Sequence, residues 1–250
     1  MKKRGQITVF IILAVILIGG IIVLFSINNK SQNISGFETG NVETFILDCI
    51  KETGTDVAYR VGDGGGYYFP PNFSTASGIA YYYSDGKNYM PSKKDIEKEI
   101  SYYTAKELFF CTKNFVDFSD FNITQGEITV NTSIKEKEIV FDVNYQLSIS
   151  KGVNTKLLEK FNKVTVPIRF GILYDSAEQI VNEEIQSDAV CLTCLANVSL
   201  KNDFFVHMFD YKNDSVIFIF RDEKFPVESN VFKLTFANKY KLAKNKYEIQ

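Results

Sequence analysis

From residue 7 to residue 25 no side chain carries a charge, and fifteen of these nineteen positions are Ile, Leu, Val or Phe. No polar face interrupts the run, which sets it apart from the amphipathic helix of a globular core. As a helix it spans about 28 Å, close to one bilayer core. Its fifteen large apolar side chains contribute roughly −7 kcal/mol on an insertion scale. The pattern predicts a transmembrane helix over 7–25. The next stretch, 26–40, is rich in Ser, Asn, Gln and Gly and reads as a flexible stalk linker.

The pattern then changes to that of a folded domain over 41–238. Val42, Ile46, Cys49, Ile50, Thr53 and Val57 recur at helical spacing, and Gly62-Asp63-Gly64-Gly65-Gly66 ends that helix. A tyrosine-rich stretch punctuated by Gly and Pro follows, read as a structured loop or short strands. Pro91-Ser92-Lys93-Lys94-Asp95 opens a second helix, with Ser92 as cap and Asp95 in the capping-box position. This helix is expected to reach about Phe115, with Ile96, Ile100, Tyr103, Phe110 and Cys111 as its apolar stripe and Glu107 as an intruder. Strand patterns come next. Ile128 and Val130 alternate with polar neighbours, then Ile139, Phe141, Val143, Tyr145, Leu147 and Ile149, then Val164, Val166 and Ile168. Such alternation marks strands with one buried and one wet face, as in antiparallel sheets. A helix over 173–185, a short helical piece holding Cys191 and Cys194, and strands over 204–211, 216–220 and 231–236 complete the order. The fold class is α+β: a largely antiparallel sheet with several packed helices after the N-terminal transmembrane helix.

Lys2, Lys3 and Arg4 precede the apolar run, and Lys30 is the only positive charge in the fifteen residues after it. The positive-inside bias places the leader, 1–6, in the cytoplasm and the bulk of the chain outside the cell membrane, single-pass. The apolar core exceeds that of a cleaved secretory signal, and no small-x-small site follows it. Arg4-Gly5-Gln6-Ile7 resembles the class III signal of archaeal type IV pilin-like proteins. The resemblance covers about the first 25 residues. It implies cleavage between Gly5 and Gln6, with the apolar segment retained for anchoring or filament assembly. Phe10 stands where bacterial pilins commonly carry Glu, and the stalk replaces the helix that pilins continue into the head. The globular part resembles archaeal membrane-anchored surface proteins without assigned activity.

The chain carries a net charge of −2. Setting Lys2, Lys3 and Arg4 aside leaves 25 basic residues against 30 acidic ones. Nucleic-acid binding calls for a basic patch, and none is visible. The tail, 239–250, holds Lys239, Lys241, Lys244 and Lys246 and reads as a solvated terminus. Sequons at Asn33, Asn72, Asn122, Asn131, Asn197 and Asn213 fit exposure to a glycosylation machinery. The partners that this composition allows are the lipid bilayer and, outside it, surface proteins, glycans or copies of the same chain.

Cys49 and Cys111 fall on apolar helix faces, and an extracytoplasmic location favours a disulfide between them over two free core thiols. Cys191-Leu192-Thr193-Cys194 admits three readings. A redox pair sits at a helix start after a strand, with a lowered thiol pKa. A zinc site needs two more ligands, and the chain offers one His and no second C-x-x-C. The third, a local structural disulfide, is favoured by Ala189, Val190, Leu192 and Leu195, because burial raises a thiol pKa. No hydrolase, zinc-protease or phosphate-loop motif occurs, and no cofactor or metal is expected. His207, alone in the chain, sits in a strand pattern, and Glu183-Glu184 and Asp222-Glu223 read as solvated faces. Tyr67, Tyr68, Tyr81, Tyr82 and Tyr83 suit either a partner surface or the core of a region poor in aliphatic residues. The expectation is a membrane-anchored, non-enzymatic surface protein with an adhesive, structural or ligand-binding domain. The alternatives are a pilin-like filament subunit and an extracytoplasmic thiol-disulfide enzyme.

Overall fold

Alternation along the chain becomes two larger sheets, beside a two-stranded parallel pair. The computed structural model describes residues 39–227, 229–241 and 247–248. The leader with Gly5 and Gln6, the expected transmembrane helix over 7–25 and the sequon at Asn33 lie outside them. Among the described residues no helix is long and apolar enough to cross a membrane. In chain order the elements are α1 (Gly40–Asp63), β1 (Tyr81–Ser84), β2 (Lys87–Asn88), α2 (Lys93–Thr112), a 3-10 turn (Lys113–Phe118), β3 (Asn122–Ile134), β4 (Ile139–Lys151) and β5 (Asn154–Val166). They continue with α3 (Phe170–Ser187), β6 (Val190–Cys191), α4 (Leu192–Asn202), β7 (Phe205–Tyr211), β8 (Ser215–Val227), β9 (Asn230–Lys239) and β10 (Tyr247–Glu248).

The fold is α+β. β3, β4 and β5 form one antiparallel sheet, and a second runs β2-β1-β9-β8-β7. The inward residues of β4 are those that alternate in the sequence, Ile139 through Ile149 at every second position. In the second sheet β1 pairs parallel to β9, and every other pairing is antiparallel. In place of the one largely antiparallel sheet expected, β3, β4 and β5 pair only among themselves, and the short β1 joins β9, more than 120 residues away, a pairing that no local pattern records.

α1 packs against α2 and touches both sheets, through β5 and β9. Two glycines make this possible. A Cβ at Gly54 would lie 2.7 Å from the Phe141 ring of β4, and one at Gly62 would lie 2.4 Å from the Lys233 carbonyl of β9. Cys49 and Cys111, with Cα atoms 5.8 Å apart, are joined in a disulfide that clamps α1 to α2.

The stripe of α2 is not the expected one. Ile96 and Ile100 are buried as expected, but Thr104, Leu108 and Thr112 continue the row, while Tyr103 is half-buried and Phe110 is 67% exposed. The helix ends at Thr112, short of Phe115. Lys113, Asn114 and Phe115 take left-handed backbone, and this reversal sends Phe115 into the core beside Phe45 and Tyr145. Ser92 caps the helix by accepting from the Asp95 N–H, and its hydroxyl donates to the Asp95 carboxylate.

Candidate functional site

Two places on the domain gather chemistry. The first is an open groove of about 500 Å³ along α1 and α2. Its walls carry Phe45, Tyr68 and Phe110 beside Asp48, Glu52, Glu107 and Arg60, and the Cys49–Cys111 bridge lines it. Tyr68 is fixed from several sides. Its ring stacks on Tyr103 at 3.9 Å, and Arg60 lies 4.2 Å above it. Its hydroxyl donates to Glu107 and its N–H to Glu99. Burial and the Glu107 carboxylate raise the Tyr68 pKa. Glu107, the intruder on the helix pattern, is therefore one of the residues that hold this ring in place.

The tyrosines of the expected partner surface divide. Tyr68 lines the groove, and Tyr67 is half-buried nearby. Tyr81, Tyr82 and Tyr83 are buried and do not form a surface. A register shift between Tyr81 and Tyr83 interrupts the alternation of β1, so the whole strand is enclosed. Tyr82 stacks on Phe236 at 4.6 Å, and Phe236 stacks on Phe218 at 5.1 Å, one aromatic ladder through the second sheet.

The second place lies where β6 meets α4. Cys191 is the last residue of the two-residue strand β6 and the N-cap of α4, and it is bonded to Cys194. Its sulfur accepts the Cys194 N–H at 3.2 Å and stands 3.6 Å from the Thr193 hydroxyl. Beside it is Glu184 of α3, wholly buried. Glu184 Oε2 accepts from Asn238 Nδ2 and from the Tyr240 hydroxyl, each at 2.6 Å. The Cys191 N–H faces the carboxyl, without the geometry of a full hydrogen bond to Oε1. Burial pushes the Glu184 pKa up to about 7, against the opposing pull of those hydrogen bonds. Tyr83 packs against Tyr240 and donates to Asp188, and burial and Asp188 raise its pKa.

Glu184 and Asp222 correct the reading of their segments as solvated faces. Glu183 and Glu223 are exposed, but Glu184 is sealed in, and Asp222 is buried against Arg169, which binds it through Nε at 2.8 Å and Nη2 at 2.6 Å. A signal for both was available. Glu184 continues the series Leu173, Ala177, Ile180 on α3, and Asp222 continues Val216, Phe218, Phe220 on β8. A charged residue that falls on the buried phase of a pattern is a candidate for a special role.

The described sequons, Asn72, Asn122, Asn131, Asn197 and Asn213, are all exposed. His207 is exposed on β7, the edge strand of the second sheet. No group of three or more His, Cys, Asp or Glu among the described residues is arranged to hold a metal ion. Comparison with protein-family models, with curated proteins and with solved structures finds no match for the chain.

Proposed function

We propose that the protein is a single-pass, membrane-anchored surface protein whose extracytoplasmic domain holds a ligand in the α1–α2 groove. The observation that carries this is the groove's composition: a fixed aromatic ring next to carboxylates that only accept hydrogen bonds. Such a lining selects a donor-rich ligand, either sugar hydroxyls or an ammonium group held by the groove's carboxylates, Asp48, Glu52 and Glu107. The two disulfides support an oxidising compartment, because such bonds persist outside the cytosol. The charge-free run over 7–25 and the basic residues before it support the tether.

Calorimetric titration of the full-length protein with panels of oligosaccharides and polyamines tests the reading. A member of one panel should bind, and Tyr68→Ala with Glu107→Gln should weaken it at least tenfold. Absence of binding to both panels would remove the groove from the proposal. The filament reading keeps a separate support, the Arg4-Gly5-Gln6-Ile7 leader. Intact-mass measurement of the native protein should then show a chain starting at Gln6, and sheared cell surfaces should yield high-mass polymers.

A further inference from the structure

The pair Cys191 and Cys194 has a setting that a purely structural bridge does not need. Four observations meet there. The two residues differ in exposure: Cys191 is 5% exposed, and Cys194 is half-buried. The inner sulfur sits at the start of an 11-residue helix, where it already accepts a backbone N–H and neighbours a hydroxyl. The Glu184 carboxyl, itself sealed from solvent with Oε1 unpartnered, lies against the Cys191 backbone. A small cavity lined by Glu183, Gln186, Ser187 and Cys191 opens beside it.

The bridge also does little for the fold. It closes a loop with a sequence separation of 3, against 62 for Cys49–Cys111. Loop entropy then contributes about 2 kcal/mol, against about 4 kcal/mol for the longer loop. It can open without releasing the domain. α4 stays anchored by Leu195 and Val198, which are buried, and by Ser199, whose hydroxyl donates to the Phe204 carbonyl.

We propose that Cys191–Cys194 is an exchangeable disulfide that oxidises a dithiol, with Cys194 the sulfur attacked and Cys191 the leaving thiolate. One thiol of the dithiol loses its proton to solvent and attacks Cys194 Sγ. The Cys191–Cys194 bond breaks, a mixed disulfide forms on Cys194, and the electron pair departs on Cys191 Sγ. That thiolate is held by the Cys194 N–H, the Thr193 hydroxyl and the positive end of α4. A leaving thiol with a lowered pKa departs faster. The second thiol of the dithiol passes its proton to Cys191 and attacks its partner sulfur in the mixed disulfide. Cys194 leaves and takes a proton from solvent. Two electrons and two protons have moved from the dithiol to the protein, and the dithiol has become a disulfide.

This activity is independent of the groove and of any ligand there. The test treats the oxidised full-length protein with dithiothreitol, quenches with a mass-tagged maleimide and maps the labelled peptides. Cys191 and Cys194 should be labelled at least 100-fold faster than Cys49 and Cys111, with the far-ultraviolet circular dichroism unchanged. Labelling of all four together, or only after the fold is lost, would overturn the proposal. A second variant reads the leaving group directly. In Cys194→Ala, the Cys191 thiol should alkylate with a pH midpoint at least about one unit below that of an ordinary thiol, near 8.5. A midpoint at or above the ordinary value would refute the assignment of Cys191.

Discussion

Glu184 makes the domain's stability depend on pH in a direction opposite to that of most carboxylates. Its folded pKa is about 7, against 4.5 for the free side chain. The folded state therefore holds the proton more tightly than the unfolded chain does. This contribution is fully present below pH 4.5 and is lost as the pH rises through 7, on the order of 3 kcal/mol in all. Denaturant unfolding of wild type and Glu184→Gln at pH 5, 6, 7 and 8 should show the gap opening in the variant's favour as the pH rises. A gap that does not change with pH would show that the carboxyl is not titrating in the fold. Arg169 gives a second prediction at this scale. It forks onto Asp222 and also donates to the Asn202 and Asp203 carbonyls at the end of α4. Arg169→Met strands a buried carboxylate and leaves those carbonyls unmet, and should cost about 3–5 kcal/mol in a chemical denaturation curve.

At the scale of elements, α1 is the part that admits least change. A methyl at Gly62 would meet backbone, the Lys233 carbonyl, which cannot rotate away, whereas one at Gly54 would meet the ring of Phe141. Gly62→Ala should therefore cost more than Gly54→Ala, each by about 1–3 kcal/mol or beyond, measured by thermal melting. Replacing Cys49 and Cys111 by Ala should cost about 4 kcal/mol, a fall of roughly 10 °C in Tm for a domain of this size. Element types were legible because period 2 and period 3.6 differ plainly, as β4 and α1 show. The face of α2 was less so. Thr104 and Thr112 are short enough to fit where α2 packs, and Phe109 and Phe110 are turned outward. The groove and the Glu184 cluster were illegible as sites, since each joins segments more than 40 residues apart. Only the misplaced polarity of Glu107 and Glu184 hinted at them.

For the whole molecule, the tethered reading fixes an orientation that can be checked. Protease added to intact cells should digest the domain and spare the 7–25 segment. Full protection, in an envelope shown to admit the protease, would refute that topology. The Cys49–Cys111 clamp has a mechanical consequence if the chain is pulled from its N-terminal side. Tension entering at Gly40 travels only as far as Cys49 before it passes through a covalent bond to Cys111. The residues between them, with the rest of α1, β1, β2 and nearly all of α2, carry no load along the chain. At the reach of an extended backbone they withhold roughly 200 Å of contour length. Optical-trap extension of the oxidised protein should stop short by that amount, and a reductant that opens this bond should restore it. A surface domain built this way would let out slack under shear in two stages, the second controlled by the redox state of its surroundings.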